Sequence, residues 1–183
     1  MKFWPIPNSF NDSLPKRNNQ GSFWEDRGDR FNAGVDIYAP DNSEVYAVEH
    51  GIVIDIDVFT SSDVSYLQDT KYIIIKSPDK INYKYCEISN IKVEIGDKVE
   101  PGQHIANLKS IINKESLNDD TPFFIKELIY EELFTKLHLE MYKAPFTEIR
   151  PYELGNYLGE SKPSSIIDPN VYFMGIKKSS KAL

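Results

Sequence analysis

Cysteine is nearly missing: Cys86 is the only one in 183 residues, which excludes an internal disulfide and fits a reducing compartment. Long apolar runs are missing altogether, and no stretch approaches the roughly 18 residues of a membrane span. The N-terminus, MKFWPIPNSFNDSLPKRNNQ, has one early lysine but no apolar core and no small-residue cleavage site. A Sec-type signal peptide is therefore not read, and a cytoplasmic chain is expected. Basic clusters are absent too. Apart from a Lys-Lys pair and Lys181 near the C-terminus nothing would track a phosphate backbone, and a net charge of −7 makes nucleic acid a poor partner. No repeat shows at solenoid periods.

What is present has the composition of a soluble globular chain, 40% apolar, 27% charged and 13% aromatic, in a length that suits one domain. Residues 1–30 are rich in Pro, Asn, Ser and Gly without periodicity, so an extended arm laid over the domain is expected there. From Phe31 the signals are short and strand-like: GVDIY, SEVYAV, GIVIDIDVF, KYIIIK, INYKYCEIS, IKVEI and QHIANL, separated by turn residues such as PDNS, SPDK and EPG. The expected fold is mainly β, an antiparallel sheet or sandwich-like core over 31–173, with a flexible tail at 174–183.

Two segments interrupt the strands. TSSDVSYLQDT, residues 60–70, reads as a polar surface loop. Around 121–134, Thr121 as N-cap, Pro122 in the first turn and Phe124, Ile125, Leu128, Ile129 and Leu133 at helical spacing predict an inserted amphipathic helix. Its apolar stripe must be buried against the sheet or a partner.

Of the three histidines, His50 beside Gly51 reads as a turn residue and His104 as the start of a strand. His138 is more informative. Strict alternation in TKLHLEMY puts Lys136, His138 and Glu140 on one face and Leu137, Leu139 and Met141 on the other, so a polar face lining a surface or groove is expected. The same alternation puts Tyr83, Tyr85 and Glu87 opposite Cys86 and Ile88, and makes Cys86 a small core residue instead of a nucleophile.

The ordered set NAGVDIYAP, VYAVEHGIV, YCEIS, VEIGDKVEPGQHIA, LHLE and IDPNVYF, from about Phe31 to Phe173, resembles the M23 family of peptidoglycan metallopeptidases of the LytM or lysostaphin type. Its V-x-x-G-D-x-V-x-x-G-Q part also resembles biotinyl carriers and sugar-phosphotransferase domains of related hybrid architecture. The resemblance implies the duplicated hybrid β motif. It implies zinc held by the His and Asp of H-x-G-x-D and by the second His of H-x-H, with the first His of H-x-H and a His of Y-x-H-L assisting the bound water and oxyanion. Those zinc positions are Asn32, Asp36 and His138 here, and the catalytic positions are Glu87 and Lys136. Only Asp36 and His138 keep the family's residue type.

The replacements change the chemistry. A catalytic zinc takes about three protein ligands, and a neutral asparagine amide is a poor substitute for imidazole. A protonated Lys136 would repel a metal ion, and it is no general base near neutral pH unless burial lowers its pKa. Glu87 and Lys136 are expected to face each other as a charge pair in which the ammonium takes the place of the metal charge. If partly exposed, such a pair is worth about 0–1 kcal/mol. The helix around 121–134 replaces the family's short Gly-rich loop, so the groove is expected to be rebuilt or covered.

The favoured reading is a pseudoenzyme: a catalytically inactive M23-like domain, with no metal or other cofactor expected, that binds a protein partner or a cell-wall glycan or peptide. Degenerate LytM-like amidase activators do this in their family. The alternative is a metal-dependent peptidoglycan endopeptidase with zinc on Asp36, His138 and Glu87. A carrier or phosphocarrier would need an exposed hairpin lysine or paired groove histidines, neither of which is read. The resemblance implies the cell envelope, in tension with the missing signal peptide.

Overall fold

The computed structural model describes residues 2–119, 121, 123–130, 135–143, 152–174 and 176. The strands among them are β1 (Phe31–Asn32), β2 (Val35–Tyr38), β3 (Glu44–Tyr46), β4 (Gly51–Thr60), β5 (Thr70–Lys76), β6 (Ile81–Ser89), β7 (Lys98–Val99), β8 (His104–Leu108), β9 (Lys136–Lys143), β10 (Tyr152–Glu153) and β11 (Asn156–Tyr157). Two α-helices, α1 (Phe123–Tyr130) and α2 (Pro169–Tyr172), and a 3-10 turn at Lys114–Ser116 accompany them among the described residues. Strands pair antiparallel in the order β2-β9-β6-β5-β4-β7, β8 joins both β3 and β6, and β1-β11-β10 form a small separate sheet.

Isoleucine, tyrosine and valine dominate β5 and β6, residues whose branched or planar side chains suit a pleated, half-buried surface. One face of the central strands, with Val35, Ile37, Tyr83, Tyr85, Leu137, Leu139 and Met141, forms the hydrophobic core. Residues 2–30 hold no named strand, yet Trp4, Ile6, Leu14 and Phe23 enter that core. Each such burial stabilises by about 1.5–3 kcal/mol.

The polar face expected on 136–140 forms, but it is covered instead of lining an open surface. Lys136, His138 and Glu140 are 7%, 2% and 0% exposed. The β10–β11 hairpin lies against His138 and Glu140 through Gly155 and Tyr152, and the loop that carries Arg27 closes on Asp36 beside them. The expected strand IKVEI is also corrected: it runs as irregular chain, held by Lys92 N–H donating to Ile105 O at 2.9 Å and by burial of Val93, and the short strand forms later at β7. Helix α1 occupies the predicted interval with Ile125 buried. Pro122 and residues 131–134 lie outside the described residues.

Gly34, between β1 and β2, shows how tightly the polar face is packed. A Cβ there would lie 2.4 Å from the Leu139 carbonyl oxygen and 3.0 Å from Glu140 Cγ. The carbonyl belongs to a β9 backbone held from both sides by β2 and β6, so it has nowhere to go. Gly34→Ala is expected to destabilise the fold by about 3 kcal/mol, read from the urea unfolding midpoint. An unchanged midpoint would show that β2 and β9 separate freely.

Candidate functional site

Cross-strand register assembles the site. Asp36 on β2 lies opposite His138 on β9, which lies opposite Cys86 on β6, and Lys84 lies opposite Glu140. Glu87 reaches the same face by a different route. Ile88 pairs with Lys71 and Cys86 with Tyr72, so Glu87 is the extra residue of a β-bulge, with φ at +64°. Without the bulge, alternation would turn Glu87 into the core beside Tyr85. The expected grouping of Tyr83, Tyr85 and Glu87 against Cys86 is therefore corrected: Cys86 and Glu87 share the polar face, and Cys86 Sγ–H points at Glu140 Oε1 at 4.0 Å. Burial raises the Cys86 thiol well above its ordinary pKa, which keeps it protonated and unreactive.

Every expected position is accounted for. Glu87 and Lys136 do pair, at 2.8 Å, but as a buried pair with side chains 4% and 8% exposed, so the surface-pair energy does not apply. Burial favours the neutral amine of Lys136, yet Glu87 and Asp36 outweigh it and raise the pKa above the ordinary lysine value. His138 Nδ1 bonds to Asp36 Oδ1 at 2.7 Å and Nε2 to Glu140 Oε1 at 3.1 Å. Asn32 is buried but stays apart from these contacts: its Nδ2 donates to Ser22 O at 3.1 Å and its Oδ1 accepts from Gly34 N–H at 3.3 Å.

Sequence reasoning missed Arg27. It sits in the segment expected to be an arm, between Trp24 and Asn32, where Trp24 N–H donates to Asn32 O and Asn32 N–H to Glu25 O, both at 2.9 Å. This hairpin-like loop presents the guanidinium to the centre of the site. Arg27 NH2 donates to Asp36 Oδ2 at 2.6 Å, NH1 to Asn156 Oδ1 at 3.0 Å and Nε to Glu25 Oε2 at 3.1 Å. Asn32 thus braces the loop that delivers a cation to Asp36. The EDRGDR run around Arg27 and Gly28 was the only available signal, and it reads equally well as a solvated turn.

Lys84 completes the charge set. Its ammonium lies among the rings of Tyr152, Tyr72 and Phe59, at 4.6, 4.7 and 5.7 Å from their centroids, and donates to Tyr152 Oη at 2.8 Å. The Tyr152 hydroxyl donates to Glu140 Oε1, and Gly155 presses on the His138 ring so closely that a Cβ would lie 2.6 Å from Nε2. Arg27, Lys84, Lys136 and a protonated His138 balance Glu25, Asp36, Glu87 and Glu140, four charges against four. Burial would raise the pKa of Asp36, but Lys136, Arg27 and His138 hold it well below the carboxylate range. Burial would likewise lower that of His138, but its bonds to Asp36 and Glu140 push it up to about 8.

This donor set does not fit zinc. A ligating imidazole needs a lone pair, and both His138 nitrogens face carboxylates as hydrogen-bond donors. Both Asp36 oxygens are engaged, Glu87 is held by Lys136, and the Asn32 amide is turned to backbone. Among the described residues no group of three or more His, Cys, Asp and Glu side chains is arranged to hold a metal ion.

The family model for Peptidase family M23 matches residues 30–122. Comparison with curated proteins gives no match. Among solved structures the chain is similar to the antimicrobial peptidase lysostaphin from Staphylococcus simulans, with 15% identity and a TM-score of 0.56 over 100% of this chain and 58% of that one. The catalytic domain of the same peptidase gives 16% identity and a TM-score of 0.50, covering 96% of this chain and 92% of that one. A chain of the SpoIIQ-SpoIIIAH pore forming complex gives 18% identity and 0.52, covering 100% and 97%. At these identities the likeness establishes the fold.

Two measurements follow from the geometry. Lys136→Met leaves Glu87 buried without its cation and is expected to cost about 3–5 kcal/mol, while the double change with Glu87→Gln costs clearly less, as a double-mutant cycle in urea would show. The second is pH dependence. His138 is raised from 6.5 to about 8 on folding, so its stabilisation, about 2 kcal/mol, is complete below pH 6.5 and lost as pH rises through 8. Asp36 is depressed, so its contribution is complete above its unfolded pKa and falls away in acid. The contributions of His138 and Asp36 are therefore both complete between about pH 5 and 6.5. In His138→Gln the decline toward pH 8.5 should disappear.

Proposed function

The chain belongs to peptidase family M23, and from that premise we propose that it is a non-catalytic member, a pseudoenzyme that acts by binding. The observation that carries this reading is the Arg27 guanidinium seated on Asp36 at 2.6 Å, in the place where the family's pattern calls for a metal ion. Lys136 adds a second cation at a position where the family uses an imidazole. A fixed guanidinium supplies charge but offers no open coordination position, so it generates no bound water for attack on a peptide carbonyl. Neither Lys136, kept protonated, nor Glu87, bound to it, serves as a base at neutral pH.

The ligand on this reading is a protein partner or a cell-wall glycan or peptide. The similarity to a chain of the SpoIIQ-SpoIIIAH complex supports the use of this fold in a protein assembly. The alternative zinc set of Asp36, His138 and Glu87 requires Lys136 to leave Glu87 and Arg27 to leave Asp36, which strands the buried Lys136 ammonium, and no contact among the described residues favours it.

Metal analysis of the purified protein is expected to give far less than one zinc per chain, and added zinc should leave Tm unchanged, because nothing in the folded state binds it preferentially. Pentaglycine and purified peptidoglycan should remain uncut at buffer-control rates. Stoichiometric zinc together with hydrolysis would overturn the reading.

A further inference from the structure

Beside the ion-pair network a cleft of about 740 Å³ opens between the loop that carries Arg27 and the segment leading into α2. This is within the range of small-ligand sites, about 300–1,000 Å³. Its wall is aromatic. Trp24 and Phe31, both half-buried, stack in parallel with centroids 5.0 Å apart and 1° between planes, and Tyr157 braces Trp24 from another side at 5.6 Å. Trp24 holds φ at +59°, a backbone conformation that a bulky residue adopts only when its surroundings enforce it.

The polar groups around the platform divide into two kinds. Three carboxylates are already committed: Glu25 to Arg27 and Gly21 N–H, Asp26 to Gly28 N–H, and Asp168 to Asn170 at the start of α2. The two cations are not. Arg17 and Lys162 are exposed and form no ion pair among the described residues, and Lys162 reaches only the Phe23 ring, at 5.1 Å. Ser22 also lines the cleft, 1% exposed, with an Oγ that has no hydrogen-bond partner among the described residues. Asn18 adds an exposed carboxamide on the rim.

We propose that this cleft is a saccharide-binding site, selective for sugars that carry a carboxylate or a phosphate. The apolar face of a sugar ring lies against the open side of the Trp24–Phe31 stack, its hydroxyls exchange hydrogen bonds with the Asn18 carboxamide, and Arg17 with Lys162 takes the anionic group. The proposal deepens the ligand-binding reading above, on which it rests for the class of ligand.

The full chain is titrated with a neutral chito-oligosaccharide, an oligouronate and a phosphorylated chito-oligosaccharide, following tryptophan fluorescence and calorimetry. Trp4→Phe leaves Trp24 as the sole reporter, because Trp4 is enclosed in the core. The acidic ligands are expected to shift the emission and to bind at least tenfold more tightly than the neutral one. The two acidic arms tell whether carboxylate or phosphate is preferred. Trp24→Ala should weaken binding at least tenfold. Arg17→Gln with Lys162→Gln, both on exposed residues that leave folding intact, should abolish the preference for acid. Equal affinity for the neutral oligomer, or an acid preference that survives the double change, would overturn the proposal. So would no binding of any saccharide, or tighter binding of a nucleotide or an aromatic peptide included as controls. Zinc content and hydrolysis are measured on the same preparation: hydrolysis with saccharide binding defeats only the non-catalytic reading, and no hydrolysis with no saccharide binding defeats only the cleft.

Discussion

The carboxylate of Asp36 is the constraint around which the polar half of the molecule is organised. It is a buried anion on β2, the edge strand of the larger sheet, and burial of an ion without compensation costs several kcal/mol even after relaxation. Compensation comes from three cations on separate parts of the chain: Arg27 from the loop before β1, and Lys136 and His138 from β9. The β10–β11 hairpin must close as well, since Asn156 orients Arg27 and Gly155 and Tyr152 enclose His138 and Glu140. Loop, strand pair and hairpin therefore form together or leave a charge exposed to the interior.

A metal ion and a guanidinium answer the same electrostatic need differently. A divalent cation is held by lone pairs and leaves room for water, whereas arginine brings its own donors in a fixed plane and fills the space it neutralises. Protonated His138 follows the same logic, because a ring nitrogen that would ligate a metal instead donates to a carboxylate. Buried networks of this kind add little net stability over an apolar core of the same volume, but they punish rearrangement severely. The site is thus better described as a lock on geometry than as a source of stability. Glu87 Oε2 and Glu140 Oε2 lack partners among the described residues, so the network also bears some unsatisfied polarity.

How far the sequence was legible follows from the range of each signal. Period-two alternation and turn residues placed most strands correctly, since both depend on neighbours along the chain. IKVEI failed for a reason alternation does not carry: its amides bond to β8 and to the turn at Asp97 without forming a ladder. Glu87 was assigned to the wrong face because a bulge adds one residue and reverses the parity of everything after it, and nothing in INYKYCEIS marks the place. Arg27 was overlooked because a charged residue in a Gly- and Asp-rich stretch carries no sign that its partner lies across the sheet.

By itself the sequence determined which residues are β-forming and which strand faces are apolar. Those are local or compositional properties. Only the tertiary structure decided that the polar face is enclosed, that Glu87 and Lys136 form a buried pair, and that Arg27 reaches Asp36. The physical reason is that charge compensation acts through space: nine residues separate Arg27 from Asp36 and 102 separate Asp36 from His138, and the energy depends on the folded distances alone.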